Sequence, residues 1–214
     1  MNAQDITIDL FKKNSNIKIG KIFLAIFVIA DVIAGVILAI SSANEGFAED
    51  FAPVIIASGF IAAICMVLGI AGLILLVIGI RGKKRTEAYI AENGEDALIN
   101  EIHNETLYIY ARKNKPVTII TRKHIFEIGD NIFNTADIDH AYGYSYRGST
   151  SIHGYTLKNK LCVFAKGIYL NSDDKTKVFQ ALKTVNPDVL LGFTNEALKE
   201  HKSRVKEYKR NGDL

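Results

Sequence analysis

The chain has no tryptophan, three prolines and two cysteines in 214 residues. Cys65 lies inside a long apolar run and Cys162 in a mixed polar region, so the two cannot meet in a disulfide. No CxxC or HExxH string and no clustered His/Cys spacing occurs, which removes the usual sequence signature of a zinc site. His103, His124, His140, His153 and His201 are scattered, and none falls in a nucleophile or metal motif. The segment Arg147-Gly148-Ser149-Thr150-Ser151 has the composition of a phosphate-cradling loop but lacks its glycine spacing and lysine, so it reads as a plain hairpin loop. Internal repeats and low-complexity tracts are missing too. These absences favour a non-enzymatic protein with no catalytic, cofactor-binding or metal residues.

Basic residues are absent from two further stretches, and there the absence is informative. Residues 22–40 and 53–80 are apolar throughout, with Asp31 as their one charged side chain. A bilayer core takes about 20 helical residues, and helix satisfies every backbone group within the segment. The two runs therefore predict a transmembrane helical hairpin over 22–80.

Lys12, Lys13, Lys18 and Lys21 precede the first run, and Arg81, Lys83, Lys84 and Arg85 follow the second. The link between the runs carries Glu45, Glu49 and Asp50 and no lysine or arginine. The excess of Lys and Arg on both outer flanks places both termini in the cytoplasm. The same eight residues form a candidate cluster for anionic headgroups, although setting topology requires no specific lipid. A cleaved signal peptide ending near Ser41 and Ala43 competes for the first run. That run exceeds the ~7–15 residues of an ordinary signal core, and a long segment precedes it.

Asp31 is the candidate intramembrane polar site. A carboxylate at that depth costs at least ~2.5 kcal/mol on insertion scales. It could serve a proton or ion relay, contact another subunit, or sit protonated against Ser58. Gly59, Ala62, Ala63, Cys65, Gly69, Ala71 and Gly72 make the second run rich in small residues. Packing against Ala34 and Gly35 of the first run is the expected use, ahead of homo-oligomerisation.

Beyond the flanks, basic and acidic side chains nearly balance over residues 86–214, leaving one net positive charge of the chain's +3. A basic stripe is the footprint of a nucleic-acid binder, so nucleic acid is not expected as a partner. Residues 86–104 read as helix with a break at Gly94. From 106 the period changes to short β-branched and aromatic runs at 107–110, 117–121, 125–128 and 132–133. Further strands are expected at 141–147, 151–157 and 160–164, the last two joined tightly through Lys158-Asn159, with a short piece at 168–170. Ser172 is the expected N-cap of a helix ending at Asn186-Pro187, and a mostly charged helix follows over 195–210. Burial is expected for Ile119, Ile125, Phe126, Ile138, Val163, Phe164 and Leu182. Tyr142, Tyr144 and Tyr146 alternate onto one strand face, as an aromatic ligand platform or a half-buried sheet surface.

The string Val117-Thr118-Ile119-Ile120-Thr121-Arg122-Lys123-His124-Ile125-Phe126, then Ile132-Phe133 and Ala136-Asp137-Ile138, resembles the bacterial pleckstrin-homology-like domains found beside transmembrane hairpins. The resemblance spans about residues 105–190; it differs in the missing tryptophan and the polar 147–151 segment. It implies an α+β membrane protein in which an antiparallel β-barrel or sandwich is closed by a helix. The expected organisation is a cytoplasmic segment 1–21, the hairpin 22–80 (spans 22–40 and 53–80), a basic flank and connector 81–104, the β domain 105–193 and a charged helix 194–214. The expected location is the bacterial plasma membrane. The expected partners are the lipid bilayer, anionic headgroups, and a protein partner or a second copy. The competing functions are a small enzyme at the bilayer surface, with His140, His153, Asp137 and Asp139 around one cleft, and a transporter or channel subunit using Asp31.

Overall fold

The computed structural model describes residues 2–12, 15–43, 52–167 and 170–212. The chain divides into two compact units: Lys13–Lys84 forms one, and Met1–Lys12 together with Arg85–Leu214 forms the other. Lys13, the acidic link residues Glu45, Glu49 and Asp50, and Ile168 of the short piece expected after β7 fall outside the described residues.

The Lys13–Lys84 unit consists of α2 (Ser15–Ala43) and most of α3 (Ala52–Asn93), α1 (Ile8–Lys12) belonging to the other unit. Both long helices are long and apolar enough to cross a membrane. They touch through glycines. A Cβ at Gly20 would lie 2.7 Å from the Gly72 carbonyl oxygen, one at Gly72 would lie 2.7 Å from Phe23 Cβ, and one at Gly69 would fall 2.7 Å from the Phe27 ring. Advancing along α2 from Gly20 to Phe27 retreats along α3 from Gly72 to Gly69, so the two helices run antiparallel. Of the small residues expected at this contact, Gly69 and Gly72 pack on α2, but against Phe27, Phe23 and Gly20 rather than Ala34 and Gly35. Nothing lies within 4 Å of a Cβ built at Gly35 or Gly59, because close approach occurs at the other end of the pair.

In the second unit α3 stops at Asn93, and Gly94, with φ at +86°, breaks the chain before α4 (Glu95–Glu105). A left-handed backbone there suits glycine, and the helix break falls where the sequence placed it. Strands β1 (Thr106–Arg112), β2 (Lys115–Thr121), β3 (His124–Glu127) and β4 (Ile132–Asn134) form one antiparallel sheet in that order. Strands β5 (Ile138–Tyr146), β6 (Ser149–Thr156) and β7 (Leu161–Gly167) form a second antiparallel set. After α5 (Ser172–Val185), the two-residue β8 (Leu190–Leu191) joins β5 in parallel, and α6 (Asn195–Arg210) ends the fold.

The class is α+β, as expected, but the sheets are two four-stranded layers and do not close into a barrel. The helix cap is also corrected. Asn171, not Ser172, caps α5, its side chain accepting from the Asp174 amide at 2.7 Å.

The first sheet is buried on both faces. Ile120 and Ile125 enter a core with Ile138, Ile152, Phe164, Val178 and Leu182, while Ile119 and Phe126 face Ile6, Phe11, Leu98 and Ile102. Two-sided burial explains why β2 does not alternate apolar with polar residues: Thr118 and Thr121 are as buried as Ile119 and Ile120. Val163 is half-buried rather than part of the core. Ile6 and Phe11, in a segment to which the sequence assigned no core role, are buried at 2% and 4% exposure.

Candidate functional site

The second sheet and α6 flank an open cleft of about 430 Å³ lined by His140, Tyr142, Tyr155, Asn159, Phe193, Leu198, His201, Lys202, Val205 and Lys206. Its floor is built by strand alternation. His140 and Tyr142 are two apart on β5, and Tyr155 sits opposite His140 on β6. Tyr142 and Tyr155 are near-parallel at 6.2 Å and 17°, and His140 and Tyr155 at 6.4 Å and 20°, while His140 and Tyr142 are tilted by 37° at 5.4 Å. Burial pushes the Tyr142 hydroxyl up to about 12, and its hydrogen bond to Tyr155 adds to the shift.

The wall opposite is α6. Thr194 caps it by accepting from the Ala197 amide at 3.1 Å. Leu198, His201 and Val205 then follow at helical spacing and share one face. The entrance turn is tied to β5 twice, since the Gly192 amide donates to the Ala141 carbonyl at 2.9 Å and its carbonyl faces His140 Nε2 at 2.8 Å. Gly192 has φ at +93°, a turn conformation that favours glycine. That turn sets Phe193 over Tyr142, with ring centroids 4.8 Å apart and Phe193 65% exposed.

A bulge brings the polar groups together. The register shifts between Ile138 and His140, leaving Asp139 as an extra residue on β5. Its carboxylate reaches α6, lying 2.6 Å from His201 Nδ1 and accepting from Arg204 Nη1 at 3.0 Å. The two imidazoles, His140 and His201, are 5.5 Å apart and almost fully buried. Nδ1 of His140 and Nε2 of His201 meet no hydrogen-bond partner among the described residues.

A second cleft, of about 380 Å³, lies along β4, β6, β7 and the β6–β7 turn, and includes Asp137, Asp139, Lys158, Lys160 and Cys162. Burial pushes the Cys162 thiol up to about 11, which leaves it protonated and unreactive. On the far side of the first sheet Glu101 is buried among donors. Tyr89 donates to it at 2.9 Å, Thr121 also donates, and His124 Nδ1 lies 3.0 Å from both of its oxygens. Burial alone would raise this carboxyl, but those contacts hold it below the ordinary range. The cluster ties α3, α4, β2 and β3 together, a structural task.

Of the residues singled out from sequence, Tyr142 belongs to the cavity, whereas Tyr144 and Tyr146 are 43% and 57% exposed beyond it. His153 stacks on Tyr144 at 4.5 Å, and Asp137 belongs to the other cleft. The four-residue cluster that would mark an enzyme is therefore only partly assembled, with Asp139 beside His140. Asp31 is exposed on α2. Lys18, Lys21, Arg81, Lys83 and Lys84 are exposed in the Lys13–Lys84 unit. Lys12 and Arg85 belong to the other unit, Lys12 pairing with Glu95 at 2.8 Å and Arg85 donating to Asn131. His201, Phe193 and the link from Asp139 to α6 were not singled out beforehand. The available signal was a histidine between Leu198 and Val205 on the apolar stripe of a charged helix. Among the described residues no group of three His, Cys, Asp or Glu side chains is placed to hold a metal ion. The chain matches no protein-family model, no curated protein and no solved structure in the comparisons made.

Proposed function

We propose that this chain is a non-enzymatic two-helix membrane anchor that presents a pleckstrin-homology-like β domain on the cytoplasmic face of a bacterial plasma membrane, for contacts with protein or lipid. One observation carries this reading: α2 and α3 expose apolar side chains along their length, Ile56 at 74% and Phe60 at 71% among them. Contiguous apolar surface on that scale fits hydrocarbon rather than water. The basic flanks support a cytoplasmic location for both ends. The packing of residues 2–12 with the part that follows α3 supports placing both ends on one side. Seven antiparallel strands followed by α5 support the family resemblance.

Accessibility tests the reading. With Cys65 and Cys162 replaced by serine, a cysteine at Glu45 should react with a membrane-impermeant maleimide in intact cells, and one at Lys183 only after lysis. The reverse pattern rejects the scheme.

The surface-enzyme reading has one observation in its favour. A carboxylate-held imidazole, His201 on Asp139, is a common arrangement for a general base. Among the described residues that cavity is lined by no serine, threonine or cysteine, and we favour binding.

A further inference from the structure

We infer that the free edge of β5 pairs with the same edge of a second copy of this chain, antiparallel and centred on Tyr144. Three observations on the β5–β6 hairpin carry this.

The first is a run of backbone that the fold leaves open. β7 follows β6 out to Thr150, whereas β8 pairs with β5 at His140 and Ala141 and then turns away. At that exit the Gly192 amide donates to the Ala141 carbonyl, and the Gly192 carbonyl faces His140 Nε2 instead of continuing along β5. Backbone groups alternate sides along a strand, so those of Gly143 and Ser145 point the same way as those of Ala141, outward past the end of β8. The turn agrees. Arg147 and Gly148, with φ at +47° and +78°, close a two-residue hairpin between Tyr146 and Ser149, which directs the backbone groups of Tyr146, Tyr144 and Tyr142 towards β6. Residues 143–146 are all exposed.

The second is what this edge lacks. An open edge is a template for another strand, and proteins blunt it with charge, proline or shortness. The edge strands β4 and β8 are three and two residues long. Residues 140–146 are longer and hold no proline, lysine, arginine, aspartate or glutamate. A second copy therefore meets no like charge along the strand. Lys175 reaches Gly143 from α5, on the face opposite the tyrosines.

The third is register. Two identical edges pair about a two-fold axis. Centring on Tyr144 sets Gly143 opposite Ser145 of the second copy, and each such pair exchanges both of its N–H···O bonds. Neighbouring registers fail. Centring on Gly143 would set Ser145 against Ala141, whose carbonyl already accepts from Gly192. Centring on Ser145 would set Gly143 against Arg147, which has left the strand conformation. The Tyr144 register also lays Tyr144 against its own copy and Tyr146 beside Tyr142 of the second copy, as cross-strand aromatic pairs. It covers Tyr144 and Tyr146, otherwise 43% and 57% exposed.

The test is cysteine cross-linking of the full chain in a non-ionic detergent, with Cys65 and Cys162 replaced by serine. Tyr144→Cys sits at a facing pair with Cα atoms ~4.5 Å apart, within disulfide reach. Tyr146→Cys sits four residues off its own copy, about 13 Å along the strand. Under mild oxidation Tyr144→Cys should form covalent dimer about fivefold faster or more, although Tyr146 is the more exposed. Ser145→Pro removes one outward N–H at an edge, where proline is tolerated, and should erase that preference without lowering the melting temperature. Equal or faster dimer formation at Tyr146→Cys marks random collision and would overturn the pairing, as would monomer at both positions. So would a different protein that co-purifies with the chain and is lost with Ser145→Pro, since the edge would then serve another partner. The joint involves the second unit alone, so its outcome is independent of the maleimide test of membrane topology.

Discussion

The Ala165 amide donates to the buried Glu127 carboxyl at 3.1 Å and to Thr118 Oγ1 at 3.0 Å. Ala165 can do so because β7 bulges there: its φ is +50°, and the pairing shifts between Thr150 and Ile152 of β6. The left-handed residue turns its N–H out of the ladder and onto a side chain of the other sheet. Burial nevertheless pushes Glu127 up to about 7, against the lowering effects of Thr118, Lys166 and the Ala165 amide. In the unfolded chain a glutamate titrates near ~4.3. Between those values the folded state holds a proton that the unfolded state has lost, so stability is full below ~4.3 and falls as pH rises to about 7. The loss is on the order of 3 kcal/mol. Thermal melts of the full chain should show greater stability at pH 5 than at pH 8. Glu127→Gln, neutral throughout, should flatten that slope, and an unchanged slope would remove Glu127 as its cause.

Phe126 lies at the centre of the second core. It meets Phe11 edge-on at 5.8 Å and Tyr89 at 5.7 Å. Phe126→Ala should cost about 3–5 kcal/mol, and Phe11→Ala a similar amount if its ring is equally enclosed. Because the rings touch, the double variant should cost less than the two single losses added. Strict additivity in denaturant titrations would show that the N-terminal segment does not pack as described.

Gly72 and Gly35 differ in environment. Gly72→Leu drives a side chain into Phe23 and the Gly20 backbone, whereas Gly35→Leu meets open space. The first should reduce the fraction of protein that survives heating in detergent, and the second should leave it unchanged. Equal behaviour would place the helix contact elsewhere.

Asp31→Asn keeps the shape of the side chain and removes its titratable charge. If Asp31 has no transport role, abundance and insertion should hold or improve. A pH-driven flux in vesicles that this change abolished would overturn the anchor reading.

Local signals in the sequence were strong where one physical cause dominates. Gly94 ended a helix because no other residue takes its backbone so readily, and Ile119, Ile125 and Leu182 were legible as core from strand and helix period. The apolar runs announced α2 and α3 by length alone. Long-range relations were not legible. Nothing local tells Phe11 that it will meet Phe126, or the tyrosine strand that Phe193 and His201 will close over it. The Asp139 bulge hides the site further, since strict alternation would point Asp139 away from the face that His140 occupies. The parallel β8 is too short to carry a period, and Asn171 preceded Ser172 as a cap because both residue types serve that role.

The discontinuous unit has a consequence for the order of events on the ribosome. Ile6 and Phe11 are made before Leu98, Ile102 and Ile119, which bury them and follow roughly 5–20 s later at ~5–20 residues per second. Meanwhile everything from Lys13 to Lys84 must be placed as a closed loop between two ends that rejoin. An N-terminal segment carried across a bilayer during that interval could not return to its partners. If α2 and α3 enter a bilayer as proposed, their insertion as a pair, with residues 2–12 kept on the side where 85–212 folds, is the route that leaves this core able to form.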